Sequence, residues 1–328
     1  MTMTGKRVLI TGADGFIGSH LAERCVRDGA EVRAMCIYNS NSSYGWLSDS
    51  PLRDNMQFVL GDVRDAGSVD VAVRGCDTVL HLAALISIPY SYEAPRSYID
   101  TNVIGTMNVL DAARAHGVAR VVHTSTSEVY GTPQHVPIKE NHPLRGQSPY
   151  SASKIAADML CEAWAASFET PVVVLRPFNT FGPRQSRRAV IPSVLSQLVR
   201  GVDRLVLGDL TPRRDFTFVS DTVDGFVRAA VADLDGGTTV QLGTGRAVSI
   251  GELVAIACEL LDVDPEIVSD ESRIRPAASE VQVLLSDPAR ALEQLGWSPT
   301  VSLEDGLRQT AEFLATQPRM LEDEEYRR

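Results

Sequence analysis

Cysteine is sparse in this chain, with five residues in 328, and no two of them stand as Cys-x-x-Cys. The scattered, odd-numbered set (Cys25, Cys36, Cys76, Cys161 and Cys258) argues against a disulfide framework or a cysteine zinc site and reads as reduced, mostly buried thiols. Positive charge is short as well: 31 Lys and Arg face 42 Asp and Glu, for a net charge of −11. A general nucleic-acid or anionic-membrane surface is thereby disfavoured, and any phosphate the chain holds must be gripped by a local site. Long hydrophobic runs are missing, and Met1-Thr2-Met3-Thr4-Gly5-Lys6 has no apolar signal core, so the expectations are no membrane span and a cytoplasmic protein. No internal repeat occurs, and no motif supports metal hydrolysis, deamination or phosphoryl transfer, so no metal is expected.

What is present is hydrophobic content of 44%, enough for one large domain or two unequal ones, arranged in a regular rhythm. Short apolar strands are expected at 7–11, 31–37, 56–60, 78–82, 120–124 and 172–176. Helices are expected between them at 17–28, 65–74, 98–116 and 150–168. Such alternation predicts a Rossmann-like, doubly wound parallel α/β sheet with helices on both faces. Beyond Arg176 the prolines and glycines thicken, and amphipathic helices at 190–200, 249–261 and 303–314 predict a smaller mixed α/β substrate lobe. The expected division is a dinucleotide domain over 1–178, with 215–245 returning to it, a lobe over 179–214 and 246–316, and a charged tail over 317–328.

Two local patterns carry chemistry. The run Arg7-Val8-Leu9-Ile10-Thr11-Gly12-Ala13-Asp14-Gly15-Phe16-Ile17-Gly18 is a buried strand feeding a glycine turn and a helix. Its glycines allow the backbone to approach a pyrophosphate at the helix N-terminus. The spacing is Gly-x-x-Gly-x-x-Gly rather than Gly-x-Gly-x-x-Gly. Further on, Tyr150 and Lys154 stand four apart on one helix face, where a lysine cation beside a phenol favours the phenolate needed to take a proton from a hydroxyl.

Together with Gly61-Asp62-Val63-Arg64-Asp65, His81-Leu82-Ala83-Ala84, Asn102-Val103-Ile104-Gly105-Thr106, Thr124-Ser125-Thr126-Ser127-Glu128-Val129-Tyr130-Gly131, Arg176-Pro177-Phe178-Asn179 and Arg214-Asp215-Phe216, these patterns resemble the extended short-chain dehydrogenase/reductases called NAD-dependent epimerase/dehydratases. The resemblance implies a cofactor site from Gly12, Gly15, Phe16, Ile17, Gly18, Asp62, Val63, Leu82, Ala83, Ala84, Tyr150, Lys154 and Pro177. It implies substrate contacts from Ser87, Thr126, Asn179, Arg187, Val190, Arg214 and Arg275, with the arginines as clamps on a nucleotide diphosphate. NAD is the expected cofactor. The second strand runs into Met35-Cys36-Ile37-Tyr38-Asn39 without the usual ribose-binding carboxylate, which keeps NADP as an alternative.

The reaction turns on Thr126-Ser127-Glu128, which with Tyr150 and Lys154 forms the expected catalytic set. By resemblance Thr126 binds the sugar 4-hydroxyl, Glu128 takes the C5 proton, and Ser127 stands where many 4,6-dehydratases have an Asp. Thr-Ser-Glu also marks UDP-glucuronate decarboxylases. Similarity of 38–47, 84–92 and 185–192 to 4,6-dehydratases of the legionaminic-acid type favours dehydration of a nucleotide-linked N-acetylglucosamine or related hexose. Decarboxylation comes second and 4-epimerisation third. A non-catalytic NAD or nucleotide-sugar binding module is the reading from another class, opposed by the intact Tyr150, Lys154, Thr126 and Glu128. The resemblance also implies a homodimer joined through helices 98–116 and 150–168.

Overall fold

The structure, a computed structural model, describes residues 3–270, 273 and 280–321. Its strands are β1 (Arg7–Thr11), β2 (Glu31–Ile37), β3 (Met56–Gly61), β4 (Thr78–His81), β5 (Arg120–Thr124), β6 (Val172–Pro177), β7 (Asn179–Phe181), β8 (Arg204–Leu207), β9 (Arg213–Phe218), β10 (Thr239–Leu242), β11 (Ala247–Ser249), β12 (Glu266–Ser269) and β13 (Val283–Leu284). The helices are α1 (Phe16–Arg27), α2 (Ala66–Val73), α3 (Ile88–Glu93), α4 (Pro95–Tyr98), α5 (Gly105–Ala115), α6 (Pro149–Phe168), α7 (Val190–Val199), α8 (Val219–Val231), α9 (Ile250–Leu261), α10 (Ala289–Leu295), α11 (Leu303–Ala315) and α12 (Pro318–Leu321).

Valine and leucine dominate the central strands because both faces of a parallel sheet are covered by helices. In β1, Val8 and Ile10 join one hydrophobic cluster and Leu9 the other, as the two-residue period of a strand requires. Full burial of each such side chain contributes about 1.5–3 kcal/mol. The resulting seven-stranded sheet has the order β10-β6-β5-β4-β1-β2-β3 with every pairing parallel. Progression reverses between β1 and β4, and a crevice outside the carboxyl ends of these two strands is where such sheets bind ligands.

The first six strands lie within one residue of their expected bounds. β10 and α8 were not expected individually. α8 packs close to the sheet at Gly225, where a Cβ would lie 2.4 Å from Leu242 Cδ1. β7, β9, β11 and β13 form a small second sheet, and β8 pairs with β12. The cluster that holds Val8 and Ile10 continues into this lobe through Leu195, Phe226, Leu253 and Trp297, so lobe and sheet share one core. The expected continuous helix over 98–116 is instead α4, a π-helical turn at Ile99–Ile104, and α5. Of the expected charged tail, 318–321 form α12, whose Met320 carbonyl accepts from Arg187, and 322–328 lie outside the described residues. Four of the five cysteines are buried and all are free. Among the described residues, no helix is long and apolar enough to cross a membrane, and no His/Cys/Asp/Glu group could hold a metal.

Candidate active site

Steric necessity explains the glycine turn between β1 and α1. Gly12 has a φ of +68°, and a Cβ there would lie 2.8 Å from the Ala83 nitrogen. At Gly18 a Cβ would come within 2.1 Å of the Gly12 carbonyl oxygen. The turn is therefore pressed against residues 82–83 on one side and α1 on the other. α1 starts at Phe16 with Gly15 as its N-cap and no side-chain cap, leaving the first-turn amides for an anion. These are the features a pyrophosphate cradle needs, and they bring Gly12, Gly15, Phe16, Ile17, Gly18, Leu82 and Ala83 together.

A buried polar ladder ties this turn to the residues after β4. The amides of Leu82 and Ala83 donate to the Thr11 hydroxyl oxygen, at 3.2 and 3.1 Å. The Thr11 proton is then left for His81 Nδ1, 2.7 Å away, which places the ring proton on Nε2 facing the Thr106 hydroxyl at 3.1 Å. Thr106 in turn donates to the Asn102 carbonyl at 2.6 Å. Burial holds the His81 imidazole far down, to about 3, with the Lys154 charge acting in the same direction.

The π-helical turn turns Asn102 toward the loop after β4, a recurring use of such turns at functional sites. Its side-chain oxygen accepts from the Leu85 amide (2.8 Å), while its nitrogen donates to the Leu85 carbonyl (3.0 Å) and to Ser153 Oγ (2.9 Å). One turn earlier, the fully buried Tyr98 donates its phenolic proton to the carbonyls of Ile86 and Ser87, and its ring meets Tyr150 edge-on at 6.2 Å. Ser87 has a φ of +80°, a strained conformation for a residue with a side chain. Tyr98 and Asn102 thus pin loop 85–87 against the base of α6.

Tyr150 and Lys154 share one face of α6, which begins at a capping box between Ser148 and Ser151. Tyr150 is partly buried, and desolvation pushes its phenol above the ordinary value, with Thr126 pulling down and Glu128 adding to the rise. The sequence expectation that Lys154 favours the phenolate is therefore not what governs the phenol in the protein alone. Lys154 is buried, donates to the Thr124 carbonyl, and is brought down to about 8 by burial against the opposing pull of Asp158. Thr126 caps the short 3-10 turn Ser127–Tyr130 by accepting from the Glu128 amide at 3.2 Å. That turn follows β5 directly, so Thr126, Glu128 and Tyr150 meet at the sheet's carboxyl edge while Ser127 is buried.

Behind Lys154 lies a cluster centred on Asp158, a residue that falls in none of the motifs above. Asp158, one turn beyond Lys154, accepts from Ser125 Oγ (2.8 Å) and from the Arg176 guanidinium (3.0 Å). Arg176 also donates to the Tyr130 hydroxyl, which donates to Gln241 Oε1. His123 Nε2 lies 3.6 Å from Asp158 Oδ1, and burial keeps this imidazole well below its ordinary range. The one sequence signal for this cluster was the carboxylate at the i+4 position from Lys154.

The expected substrate residues are placed unevenly. Asn179 opens β7 with its Oδ1 buried and without a hydrogen-bond partner among the described residues, which suits a polar contact to a ligand. Ser87 stands in the strained loop. Val190 begins α7, next to the loop that carries Arg187, whose guanidinium donates to the Met320 carbonyl at 2.8 Å. Arg214 is buried in a 2.7 Å ion pair with Glu280, so a role as a diphosphate clamp requires it to share or exchange that partner. Asp62 is paired with Arg64, and Val63 packs against Gly105. Pro177 ends β6 beside Leu242. Arg275 lies outside the described residues.

The family model described as GDP-mannose 4,6 dehydratase matches residues 9–310. The chain belongs to the NAD-dependent epimerase/dehydratase family. A UDP-glucose 4-epimerase of Mycolicibacterium smegmatis is 35% identical over 94% of this chain and 98% of its own length. A dTDP-glucose 4,6-dehydratase of Streptomyces antibioticus is 32% identical over 93% of this chain and 91% of its own. Among solved structures, a dTDP-glucose 4,6-dehydratase double mutant from Streptomyces venezuelae with NAD bound superposes with a TM-score of 0.84 at 28% identity, covering 95% of this chain and 98% of that one. Members of this epimerase/dehydratase family modify nucleotide sugars, and the present chain is an enzyme of that kind.

Proposed function

We propose that the chain is a nucleotide-sugar 4,6-dehydratase that uses NAD and forms a 4-keto-6-deoxy sugar. The observation that carries this reading is Glu128, a partly exposed carboxylate on the turn after β5 whose charge is felt at the Tyr150 phenol. Epimerisation at C4 needs only one proton-transfer group, whereas elimination across C5 and C6 needs a second base. Glu128 supplies it.

The glycine cradle, the uncapped start of α1 and the clamp on residues 82–85 fit a dinucleotide. When bound, NAD supplies the acceptor for the C4 hydride and the donor that returns it to C6. Tyr150 takes the C4 hydroxyl proton while Thr126 hydrogen-bonds that oxygen. Lys154 places a cation beside the developing phenolate. The ketone at C4 acidifies C5, Glu128 removes the C5 proton, and the C6 hydroxyl leaves as water. The proton that Glu128 has taken from C5 is delivered to that departing hydroxyl, while Ser127 lies buried in the same turn as Glu128. A solvent proton finally returns to C5, so the net change is the loss of one water.

The experiment is mass spectrometry of the purified protein with UDP- and GDP-linked N-acetylglucosamine, dTDP-glucose and UDP-glucuronate, without added reductant. Loss of one water supports the proposal. Loss of carbon dioxide from the glucuronate transfers Thr126-Ser127-Glu128 to a decarboxylase. The similar epimerase favours 4-epimerisation as the second reading, which chromatographic separation of products of unchanged mass would reveal. We infer a homodimer as well, because Ile99, Ile104 and Met159 on the π turn and α6 are exposed apolar side chains. A monomer mass by light scattering at micromolar concentration would overturn it.

A further inference from the structure

The usual carboxylate at the end of β2 is missing, and residues 35–47 hold no acidic or basic side chain at all. The structure supplies a carboxylate at the same place from a different element. Pairing between β1 and β2 continues past the last rung, Thr11 with Met35, because the Ala13 amide donates to the Met35 carbonyl at 3.2 Å. The next contact along this seam is the Ile37 amide donating to Asp14 Oδ2 at 3.4 Å. Asp14 therefore stands beside the final residue of β2, inside the glycine turn. The loop after β2 closes over it: the Trp46 amide donates to the Asp14 carbonyl at 3.3 Å, and Gly45, with a φ of +55°, passes so near that a Cβ would lie 2.9 Å from Asp14 Cβ.

The other polar candidate at this strand end is committed elsewhere. Asn39 donates to the carbonyls of Ile37 and Ser43 and accepts from the amides of Asn41 and Ser43, so its side chain shapes the loop. Asp14 is partly buried, and its charge is correspondingly less screened than that of a surface carboxylate. In sheets of this type the end of the second strand, beside the glycine turn, is where a dinucleotide's adenosine ribose is read.

We propose that Asp14 is the residue that selects NAD over NADP, its carboxylate replacing the missing one at the end of β2 and repelling a 2′-phosphate. This rests on the reading of the glycine turn as a dinucleotide site and not on the sugar chemistry. A phosphate dianion about 6 Å from a carboxylate, in a water-like dielectric, is disfavoured by about tenfold in affinity.

The test is calorimetric titration of the full chain with NAD and, separately, with NADP. The wild type is expected to prefer NAD by about tenfold or more. Asp14→Asn keeps a hydrogen-bond acceptor without the charge, so it should close the gap by about tenfold while NAD affinity stays within about threefold. Asp14→Lys should reverse the preference. Asp14→Ser serves in place of Asp14→Asn if the latter does not fold. Unchanged NADP affinity in all variants, or a wild type that binds both dinucleotides equally, overturns this inference alone. A wild type that binds neither overturns the dinucleotide reading with it.

Discussion

Replacing Tyr98 with Phe removes one oxygen atom and keeps the ring against Tyr150, which makes it a clean probe of loop 85–87. In the native protein that hydroxyl faces the carbonyls of Ile86 and Ser87 and helps hold Ser87 at a φ of +80°. A single proton shared by two carbonyls is worth about 0.5–1.5 kcal/mol, because the exposed Ile86 side of the loop lets water replace part of it. The strain at Ser87 is of similar size, about 1–3 kcal/mol, so loss of the hydroxyl releases a conformation held near balance. Expected results are a KM for the nucleotide sugar raised about three- to tenfold and a kcat changed by less than about twofold. Affinity for NAD should be unchanged, and amide exchange should be faster across 85–91. Tyr98→Leu, which also removes the edge-on ring contact with Tyr150 at 6.2 Å, should lower kcat in addition. Unchanged exchange in this segment and unchanged KM in Tyr98→Phe would mean that the Tyr98 hydroxyl does not hold the loop.

Glu128→Gln should still oxidise C4, seen as reduced-nicotinamide absorbance on adding substrate, yet lose deuterium incorporation at C5 by about 100-fold or more; undiminished incorporation removes Glu128 from the role of base. Acid sensitivity should come from the buried imidazoles. His81 and His123 have folded values far below the unfolded 6.5, so the unfolded chain binds more protons and stability falls as pH drops below 6.5. Each contributes a slope of about 1.4 kcal/mol per pH unit, continuing for His81 until pH about 3. Denaturant titrations of His81→Asn between pH 7 and 4.5 should show a shallower loss than wild type, and parallel curves would count against the buried neutral ring. Gly18→Ala places a Cβ 2.1 Å from the Gly12 carbonyl, and a loss of about 1–3 kcal/mol with weakened NAD binding should appear in thermal melts and titrations. A melting point and an affinity equal to wild type would mean that the turn is not tightly packed against α1.

Much of the architecture was legible because it depends on local pattern. Valine-rich strands of five to seven residues spaced by helices specify a parallel sheet, and the glycines after the first strand specify a close backbone approach, which a Cβ at Gly12 or Gly18 would block. Tyr150 and Lys154 share a face for the helical period alone. Other features depend on chain segments far apart in sequence. The split of the 98–116 helix by a π turn follows from Asn102 bonding Leu85 and Ser153, neither of which its own neighbours reveal. Asp158 is an ordinary helix residue until Ser125, His123 and Arg176 surround it.

By its own pattern, then, the sequence determined the Rossmann-like sheet, the glycine cradle and the Tyr/Lys pair, since spacing on a strand or helix decides which side chains share a face. Only the tertiary structure decided the environment of each group. It set Asp14 beside Ile37 in the place of an absent strand-end carboxylate, and it buried Arg214 against Glu280. It also raised the Tyr150 phenol by burial while bringing Lys154 down to about 8. Desolvation and through-space charge belong to whatever the fold packs together, and spacing along the chain does not encode them.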